Sequence, residues 1–347
     1  MCCGGRSFLS CCCRRPSGIT SRCTTSPTLF CIALGLYALL RYVETPAYNG
    51  WFWALAFSIS YAAMLRPDGA LWGLVLVPAM FWYAAPRTSA SRSLKMALVC
   101  TLLTLIPFSV WTIRNAITMH VFQPLAPRYA NDPNEYIPRG WIRWVQSWSA
   151  DYASTAEIYW NVNGAPIDVN LLPSRAFDTP RQKLETSTLF ADYNKAEVMT
   201  PALSMRFGRL AQQRIRHNPL RFYVELPILR LADMWLRPRT EALWIELRWW
   251  EYRHHPAETI FSWAYGALNL AYLLLAAWGI RRRVAFAPVM LAYVVARCVL
   301  LLTLETPESR YTLECFPMIF VFAGAALGSP GRRDQLTSAP PESWSPS

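Results

Sequence analysis

The chain has 347 residues, of which 53% are hydrophobic and 16% are charged, and its mean hydropathy is slightly positive at +0.16. Several apolar stretches approach the length of a bilayer span, so this composition excludes an ordinary soluble protein and predicts a polytopic membrane protein. The formal net charge is +12. No nucleic-acid recognition motif accompanies it, so we expect this charge to act in membrane topology and phosphate binding and not in binding DNA or RNA.

The two ends of the chain differ from the rest in composition. Six of the ten cysteines lie in the first 23 residues. No histidine accompanies them and their spacing is not that of a zinc site, so we predict no metal site there. We expect residues 1–26 to be a disordered, cysteine-rich segment. Residues 329–347 are rich in proline and serine and are predicted to be a disordered cytoplasmic tail.

Seven apolar stretches predict transmembrane helices, and the predicted fold class is an all-α polytopic membrane protein. They cover residues 28–43, 50–65, 69–85, 95–113, 259–279, 285–304 and 312–328. Four of them therefore lie in residues 27–113 and three in residues 259–328. Residues 114–258 form a polar insert that is too long for a plain loop.

Basic residues predict the orientation of these helices. Segments 86–95 and 280–284 each carry three cationic residues, whereas the turns at 65–69 and 305–311 each carry one arginine. Short basic loops stay on the cytoplasmic side of a membrane. We therefore expect the insert, 114–258, to be extracytoplasmic.

Amphipathic helices are predicted inside the insert. One helical face gathers Trp141, Trp144, Val145, Trp148 and Tyr152, and these side chains are expected to line a sugar or to lie at the lipid headgroups. A basic helix is predicted over residues 202–217. Residues 220–236 and 241–252 show apolar stripes, which favour helices that lie in the plane of the membrane interface.

The segment between the last two predicted spans is rich in charge. Within residues 305–317 it contains Glu305, Glu308, Glu314, Arg310 and Tyr311. Charge near a bilayer is costly, and such residues usually face a cavity, a partner or a substrate. The alternative is a solvated loop whose long side chains reach back into water.

The predicted topology brings this segment to the same extracytoplasmic lip as other charged residues. Guanidinium groups bind phosphate through two parallel hydrogen bonds, and a carboxylate can act as a general base. The predicted phosphate-binding residues are Arg66, Arg114, Arg297, Arg310 and Tyr311. The candidate catalytic carboxylates are Asp68, Glu305 and Glu308. The alternative for each arginine is an ion pair with a lipid phosphate.

Four short motifs carry a resemblance to a known family. Residues 65–70, Leu-Arg-Pro-Asp-Gly-Ala, resemble the Arg-Pro-Glu-Gly turn of bacterial GT-C glycosyltransferases, namely the dolichyl-phosphate-mannose protein mannosyltransferase and aminoarabinose-transferase-like families. Residues 106–115 resemble their Pro-Trp-x-x-Arg-Asn segment, and residues 214–223 resemble their return from the loop to the membrane. Residues 308–311 with Pro317 resemble their Arg-Tyr-x-x-Pro element, with a longer spacing to the proline.

The resemblance extends over residues 27–328. It implies an integral protein of the bacterial inner membrane that transfers a sugar from a polyprenyl-phosphate donor, with inversion and without a cofactor. Family members place catalytic acids in the first outer loop, whereas the acids before this insert are Glu44 and Asp68. We expect that the chain lacks an N-terminal part of the family fold. Alternatively, Asp68, Glu305 or Glu308 takes the place of the missing base.

Two other functions stay open on the sequence. One is a non-enzymatic polytopic membrane protein, either transporter-like or an assembly partner, and the other is an O-antigen-ligase-like enzyme. The sequence shows no repeated halves with paired broken helices, which argues against a transporter. The expected partners are a polyprenyl-phosphate-linked sugar and membrane lipids.

Overall fold

The computed structural model describes residues 16–125, 136–159, 162–163, 165–240, 243 and 245–328, with side chains from residue 25 onward. In this part of the chain every regular element is helical. The α-helices are α1 (Pro16–Glu44), α2 (Gly50–Leu65), α3 (Ala70–Ala84), α4 (Ala90–Met119), α5 (Arg139–Gln146), α6 (Tyr152–Tyr159), α7 (Pro180–Ala196), α8 (Pro201–His217), α9 (Leu226–Leu236), α10 (Pro256–Gly279), α11 (Ala287–Leu301) and α12 (Phe316–Leu327).

Helix α1 corrects the prediction for the start of the chain. Residues 16–26 were expected to be disordered, but α1 begins at Pro16. A proline is compatible with the first turn of a helix because that turn has no intrahelical acceptor for its N–H groups. Residues 1–15 and the predicted tail 329–347 lie outside the described residues.

Among the described residues, five helical segments are long and apolar enough to cross a membrane. They are Thr25–Glu44, Pro67–Arg87, Ala90–Met119, Pro256–Gly279 and Ser309–Leu327. Spans of this kind identify an all-helical integral membrane protein. The other two predicted spans correspond to the shorter apolar helices Gly50–Leu65 and Ala287–Leu301. A total of seven spans therefore stays a prediction.

Close backbone contacts hold the membrane helices together. Helices α10 and α12 meet at Gly279, where an added Cβ would lie 1.8 Å from the carbonyl oxygen of Phe322. Small residues at such crossings let membrane helices approach closely. A polar link joins the first three helices, because Trp72 donates to the Ser58 hydroxyl at 3.1 Å and that hydroxyl donates to the Cys31 carbonyl at 2.7 Å.

The insert has a hydrophobic core of its own, and this corrects the expectation for its tryptophans. Trp141, Trp144 and Trp148 are buried, and the rings of Trp141 and Trp144 contact Phe190 of α7 and Phe207 of α8. They line neither a sugar site nor the headgroup region. The stripe is buried because α5 crosses α8 directly: a Cβ on Gly140 would lie 1.9 Å from the Ser204 carbonyl oxygen, so α8 covers the apolar face.

The predicted basic helix over 202–217 corresponds to α8, but one of its arginines is internal. Arg214 is buried, donates to the carbonyl oxygens of Ala176 at 2.7 Å and Arg175 at 2.9 Å, and pairs with Asp178 at 3.2 Å. Burial lowers the pKa of Arg214 to about 10, so the guanidinium is charged at neutral pH. It joins α8 to the segment before α7.

The predicted helix over 220–236 is formed as a π-helical turn at Arg221–Glu225 followed by α9. The buried side of α9 includes Leu226, Arg230 and Met234, whereas Ile228 and Leu236 are exposed. Arg230 on the buried side shows that α9 also serves as a packing element. Its position in the membrane interface stays a prediction.

The predicted helix over 241–252 is wrong for the described residues in that range, because 245–252 form turns. The backbone groups there find partners on α10 instead of within a helix. Glu246 N–H donates to the Glu258 carboxylate at 2.8 Å, and the Thr259 hydroxyl donates to the Trp249 carbonyl. These side chains satisfy the backbone of the turns, and a regular helix is not needed for that purpose.

Candidate functional site

The charged segment 305–315 is buried and is not a solvated loop. It joins α11 to α12 and contains a short 3-10 helix, Ser309–Cys315. Glu305, Glu308 and Glu314 are 6%, 3% and 0% exposed. The insert covers this segment, because the Ser149 hydroxyl donates to the Glu305 carbonyl at 3.1 Å. The lip that the sequence predicts to be extracytoplasmic is therefore a contact between the insert and the membrane helices.

Four charged side chains form a closed group at this contact, which we call the lip cluster: Arg66, Asp68, Arg297 and Glu314. Arg66 donates to both carboxylate oxygens of Asp68, at 3.2 and 3.1 Å, and pairs with Glu314 at 3.0 Å. Arg297 pairs with Asp68 at 2.6 Å and with Glu314 at 3.2 Å. Each cation thus contacts both anions.

The local backbone explains how these side chains meet. Arg66 ends α2 in an extended conformation, and the 3-10 turn Pro67–Gly69 places Asp68 beside it before α3 begins. A Cβ on Gly69 would lie 2.3 Å from the Ala62 carbonyl oxygen, so glycine is required for this tight turn. Arg297 approaches from α11, and Glu314 approaches from the 3-10 helix before α12.

The lip cluster is electrically balanced, with two cations and two anions. Arg297 is fully buried, and it also donates from Nε and Nη2 to the Tyr311 carbonyl oxygen, both at 3.2 Å. The Tyr293 hydroxyl donates to Glu314 at 3.2 Å. Removing charges from water is costly, and the ion pairs and hydrogen bonds of the cluster offset part of that cost. Arg297 is therefore held as an internal counter-ion.

A second charged group lies beside the cluster and contains Glu308, Arg310 and Tyr311. Arg310 pairs with Glu308, and the Tyr311 hydroxyl donates to Glu308 at 3.1 Å. Two guanidinium groups lie over the Tyr311 ring, that of Arg66 at 5.6 Å and that of Arg310 at 5.5 Å from its centre. Their side chains are 18% and 31% exposed. Both side chains therefore keep part of their surface exposed to solvent.

Two predicted site residues lie away from these groups. Arg114 is exposed on α4, where it donates to Asn115 at 3.2 Å and lies over the Trp111 ring at 5.2 Å. In the described part of the chain it makes no ion pair with the lip cluster. Glu305 accepts a hydrogen bond from Gln146 at 3.4 Å, on the side of the segment that faces the insert.

A buried arginine supports that side of the segment. Arg230 of α9 donates to the carbonyl oxygens of Gln146 at 3.2 Å and Ser149 at 2.9 Å. Burial lowers the pKa of Arg230 to about 10, and the nearby charge of Glu305 opposes this shift. Glu305 thus belongs to the joint between insert and membrane helices.

Each predicted catalytic carboxylate accepts hydrogen bonds or forms ion pairs in this structure. Both oxygens of Asp68 contact arginines, and both oxygens of Glu308 are bonded, one by Arg310 and the other by the Tyr311 hydroxyl. Glu305 accepts from a side-chain amide. A general base needs a free lone pair directed at the proton that it removes. Because an ionised carboxylate has about four lone-pair sites, these contacts occupy only part of the acceptor capacity of each acid.

Glu314 and Tyr293 are members of this arrangement that the sequence did not assign to a site. Glu314 lies within the predicted span 312–328, and a carboxylate inside an apolar stretch signals a buried partner. The sequence alone therefore indicated that Glu314 has a buried partner, but only the fold shows which residues these partners are. Among the described residues, no group of three or more His, Cys, Asp and Glu side chains could hold a metal ion.

No family model, curated protein or solved structure matches this chain. The resemblance to GT-C glycosyltransferases therefore depends on the four motifs. Two of those motifs supply residues of the two charged groups: the turn at 65–70 and the segment at 308–311. The return at 214–223 makes its contacts inside the insert, where Arg214 and Arg221 both pair with Asp178. The fourth, at 106–115, contains Arg114, which lies apart.

Proposed function

We propose that this chain is a membrane glycosyltransferase that moves a sugar from a polyprenyl-phosphate donor to an acceptor at the extracytoplasmic face. The observation that supports the proposal best is the pair of guanidinium groups, Arg66 and Arg310, over one tyrosine ring with part of each exposed. Guanidinium groups recognise phosphate through paired hydrogen bonds. The adjoining apolar helices suit a polyprenyl chain.

In this proposal the lip residues divide into ligands and supports. Arg66 and Arg310 bind the donor phosphate, because they combine charge with exposure. Arg297 is fully buried and acts through its contacts with Asp68 and Glu314, which fix the position of Arg66. It is therefore a positioning residue and not a phosphate ligand.

Glu308 is the best candidate for the general base. The donor phosphate and Glu308 compete for Arg310, so phosphate binding weakens the contact that now occupies this carboxylate. The acceptor oxygen would then attack the anomeric carbon as the bond from that carbon to the phosphate oxygen breaks. Glu308 takes the acceptor proton, and the phosphate leaves with the bonding electron pair.

Binding of a short-chain polyprenyl phosphate to the purified full-length chain tests the phosphate site. Replacing Arg310 with lysine keeps the charge but removes the planar pair of donors, so we expect roughly tenfold weaker binding. Glu308→Gln removes the competing anion and is expected to strengthen binding. Arg181→Lys is the matched control, because Arg181 forms an exposed ion pair with Glu185 at 3.1 Å in the insert. Unchanged affinity in both lip variants would refute the site.

Sugar transfer requires a separate measurement. The chain is reconstituted in vesicles with a labelled polyprenyl-phosphate sugar, and release of the polyprenyl phosphate is followed. We expect Glu308→Gln to bind the donor and to release less product. A second candidate, a non-enzymatic lipid-phosphate-binding protein, is favoured by the pairing of all three candidate acids. Binding without release by the unmodified chain would support that second function.

A further inference from the structure

The opposite end of the membrane bundle carries an exposed basic surface, which we call the basic collar. Its cations come from two turns, the one between α3 and α4 and the one between α10 and α11. The first turn and the start of α4 contribute Arg87, Arg92 and Lys95, and the second contributes Arg281, Arg282 and Arg283.

The fold brings these two turns together. The ring of Tyr83, at the end of α3, contacts the ring of Phe286 at 4.7 Å between ring centres. Arg87 donates to the Tyr83 carbonyl oxygen at 2.9 Å, so its guanidinium is held against the end of α3. Cations that are about 200 residues apart in sequence are therefore neighbours on one surface.

Few anions oppose the collar. The helix end that adjoins it, at the end of α1, holds Arg41 and Glu44, and these two pair with each other at 2.7 Å. Tyr42 of that helix donates to Met96 at 3.4 Å, which places this pair at the same end of the bundle. Among the described residues of the two collar turns there is no acidic side chain. The collar therefore has a local excess of positive charge.

The second turn is also fixed in shape. Phe286 has a φ of 58°, in the left-handed region that non-glycine residues rarely adopt. Its ring is held by Tyr83, and the turn is closed by bonds from the Arg281 N–H to the Trp278 carbonyl at 3.1 Å and from the Arg282 N–H to the Gly279 carbonyl at 2.9 Å. The arginines are thus presented by an ordered turn.

Exposed tryptophans mark the depth of the collar relative to the membrane. Trp82 and Trp278 are 73% and 50% exposed, and the Arg282 guanidinium lies over the Trp278 ring at 5.8 Å. Tryptophan is enriched at the level of the lipid headgroups. We therefore expect the collar guanidinium groups to lie at the depth of the headgroup phosphates.

We propose that the basic collar binds anionic phospholipid headgroups in the leaflet on its side of the membrane. The occupant is a lipid and not a soluble anion, because the cations sit at the rim of exposed apolar helices and beside interfacial tryptophans. Each cation near an anionic leaflet strengthens binding about fivefold, so three of them contribute about a hundredfold. This site is independent of the proposed donor site at the other end of the bundle.

The test uses the full chain reconstituted in mixed phosphatidylcholine and phosphatidylglycerol bilayers. Native mass spectrometry then measures which lipids the protein retains. We expect the unmodified chain to be enriched in phosphatidylglycerol and the triple variant Arg281→Gln/Arg282→Gln/Arg283→Gln to lose that enrichment. The control triple variant Arg181→Gln/Arg209→Gln/Arg216→Gln removes the same charge from exposed positions of the insert and is expected to keep it.

Two further measurements make the result decisive if the glutamine variant does not fold. The corresponding triple lysine variant retains charge and is expected to keep the enrichment. High salt shortens the Debye length to about 3 Å at 1 M. It is therefore expected to reduce the phosphatidylglycerol enrichment of the unmodified chain. Any of three results would overturn the proposal. The collar glutamine variant could keep the enrichment of the unmodified chain, the insert variant could lose as much enrichment as the collar variant, or salt could have no effect.

Discussion

Replacing Arg297 with leucine tests the buried lip cluster most directly. The substitution removes contacts to Asp68, Glu314 and the Tyr311 carbonyl, and it leaves the cluster with one uncompensated negative charge. Breaking a buried ion pair by removing one partner costs roughly 3–5 kcal/mol of unfolding free energy. We expect Arg297→Leu to fall in that range, because Arg297 has no exposed side-chain surface through which water could compensate.

A double-mutant cycle separates charge pairing from packing. Glu314→Gln alone leaves one excess positive charge, whereas Arg297→Leu with Glu314→Gln leaves Arg66 and Asp68, which remain a neutral, bidentate pair. The double variant is therefore expected to be more stable than the sum of the two single effects predicts. Unfolding free energies come from denaturant titration in mixed micelles, with Arg297→Lys as the charge-preserving control. Additive effects, within about 0.5 kcal/mol, would refute the proposed coupling.

Three further predictions concern the rest of the molecule. Gly279→Ala should lower the melting temperature because its Cβ would overlap the facing helix, whereas Gly324→Ala, which meets no atom within 4 Å, should be neutral or stabilising by up to about 1 kcal/mol. Burial raises the pKa of Asp151, but hydrogen bonds from Ser154 and the charge of Arg175 outweigh it and hold the pKa below its ordinary range. The resulting stability is fully present above the unfolded-state pKa of the carboxyl and is lost as pH falls through the lower folded-state pKa. The melting temperature of Asp151→Asn should therefore fall less than that of the unmodified chain when the pH is lowered through this window. In a cysteine-free background, a membrane-impermeant thiol reagent should label Thr188→Cys from outside and Ser91→Cys only after permeabilisation; the reverse pattern would contradict the topology.

The apolar helices were predictable from the sequence because each covers a continuous hydrophobic stretch. The expected span 50–65 coincides with α2, and the expected span 259–279 lies within α10. The expected span 95–113 underestimates α4, which begins at Ala90 after the Ser89 side chain caps its first turn. Hydropathy detects the apolar part of a helix but not the polar turns that extend it into the interface.

The insert shows where a single sequence is insufficient. The stripe of Trp141, Trp144 and Trp148 predicted an apolar face correctly, but it could not show what covers that face. The cover is α8, about 60 residues later, and the close approach depends on Gly140. An apolar stripe on a helix can be covered by a lipid surface, a sugar or a second helix. The tertiary contact is needed to show which of these covers it.

The lip and the collar explain why net charge alone does not identify a functional arginine. At the lip, arginines and carboxylates are paired and largely buried, so each arginine is needed to keep a neighbouring anion stable. At the collar, cations are exposed and lack acidic neighbours in the same turns, so their attraction is available to an external anion. A substitution at the lip therefore changes stability and binding together, because it unbalances a buried group. A substitution at the collar changes binding with little effect on folding. For that reason the role of Arg310, which is paired but partly exposed, must be judged from donor affinity measured at equal stability and compared with the exposed ion pair in the insert.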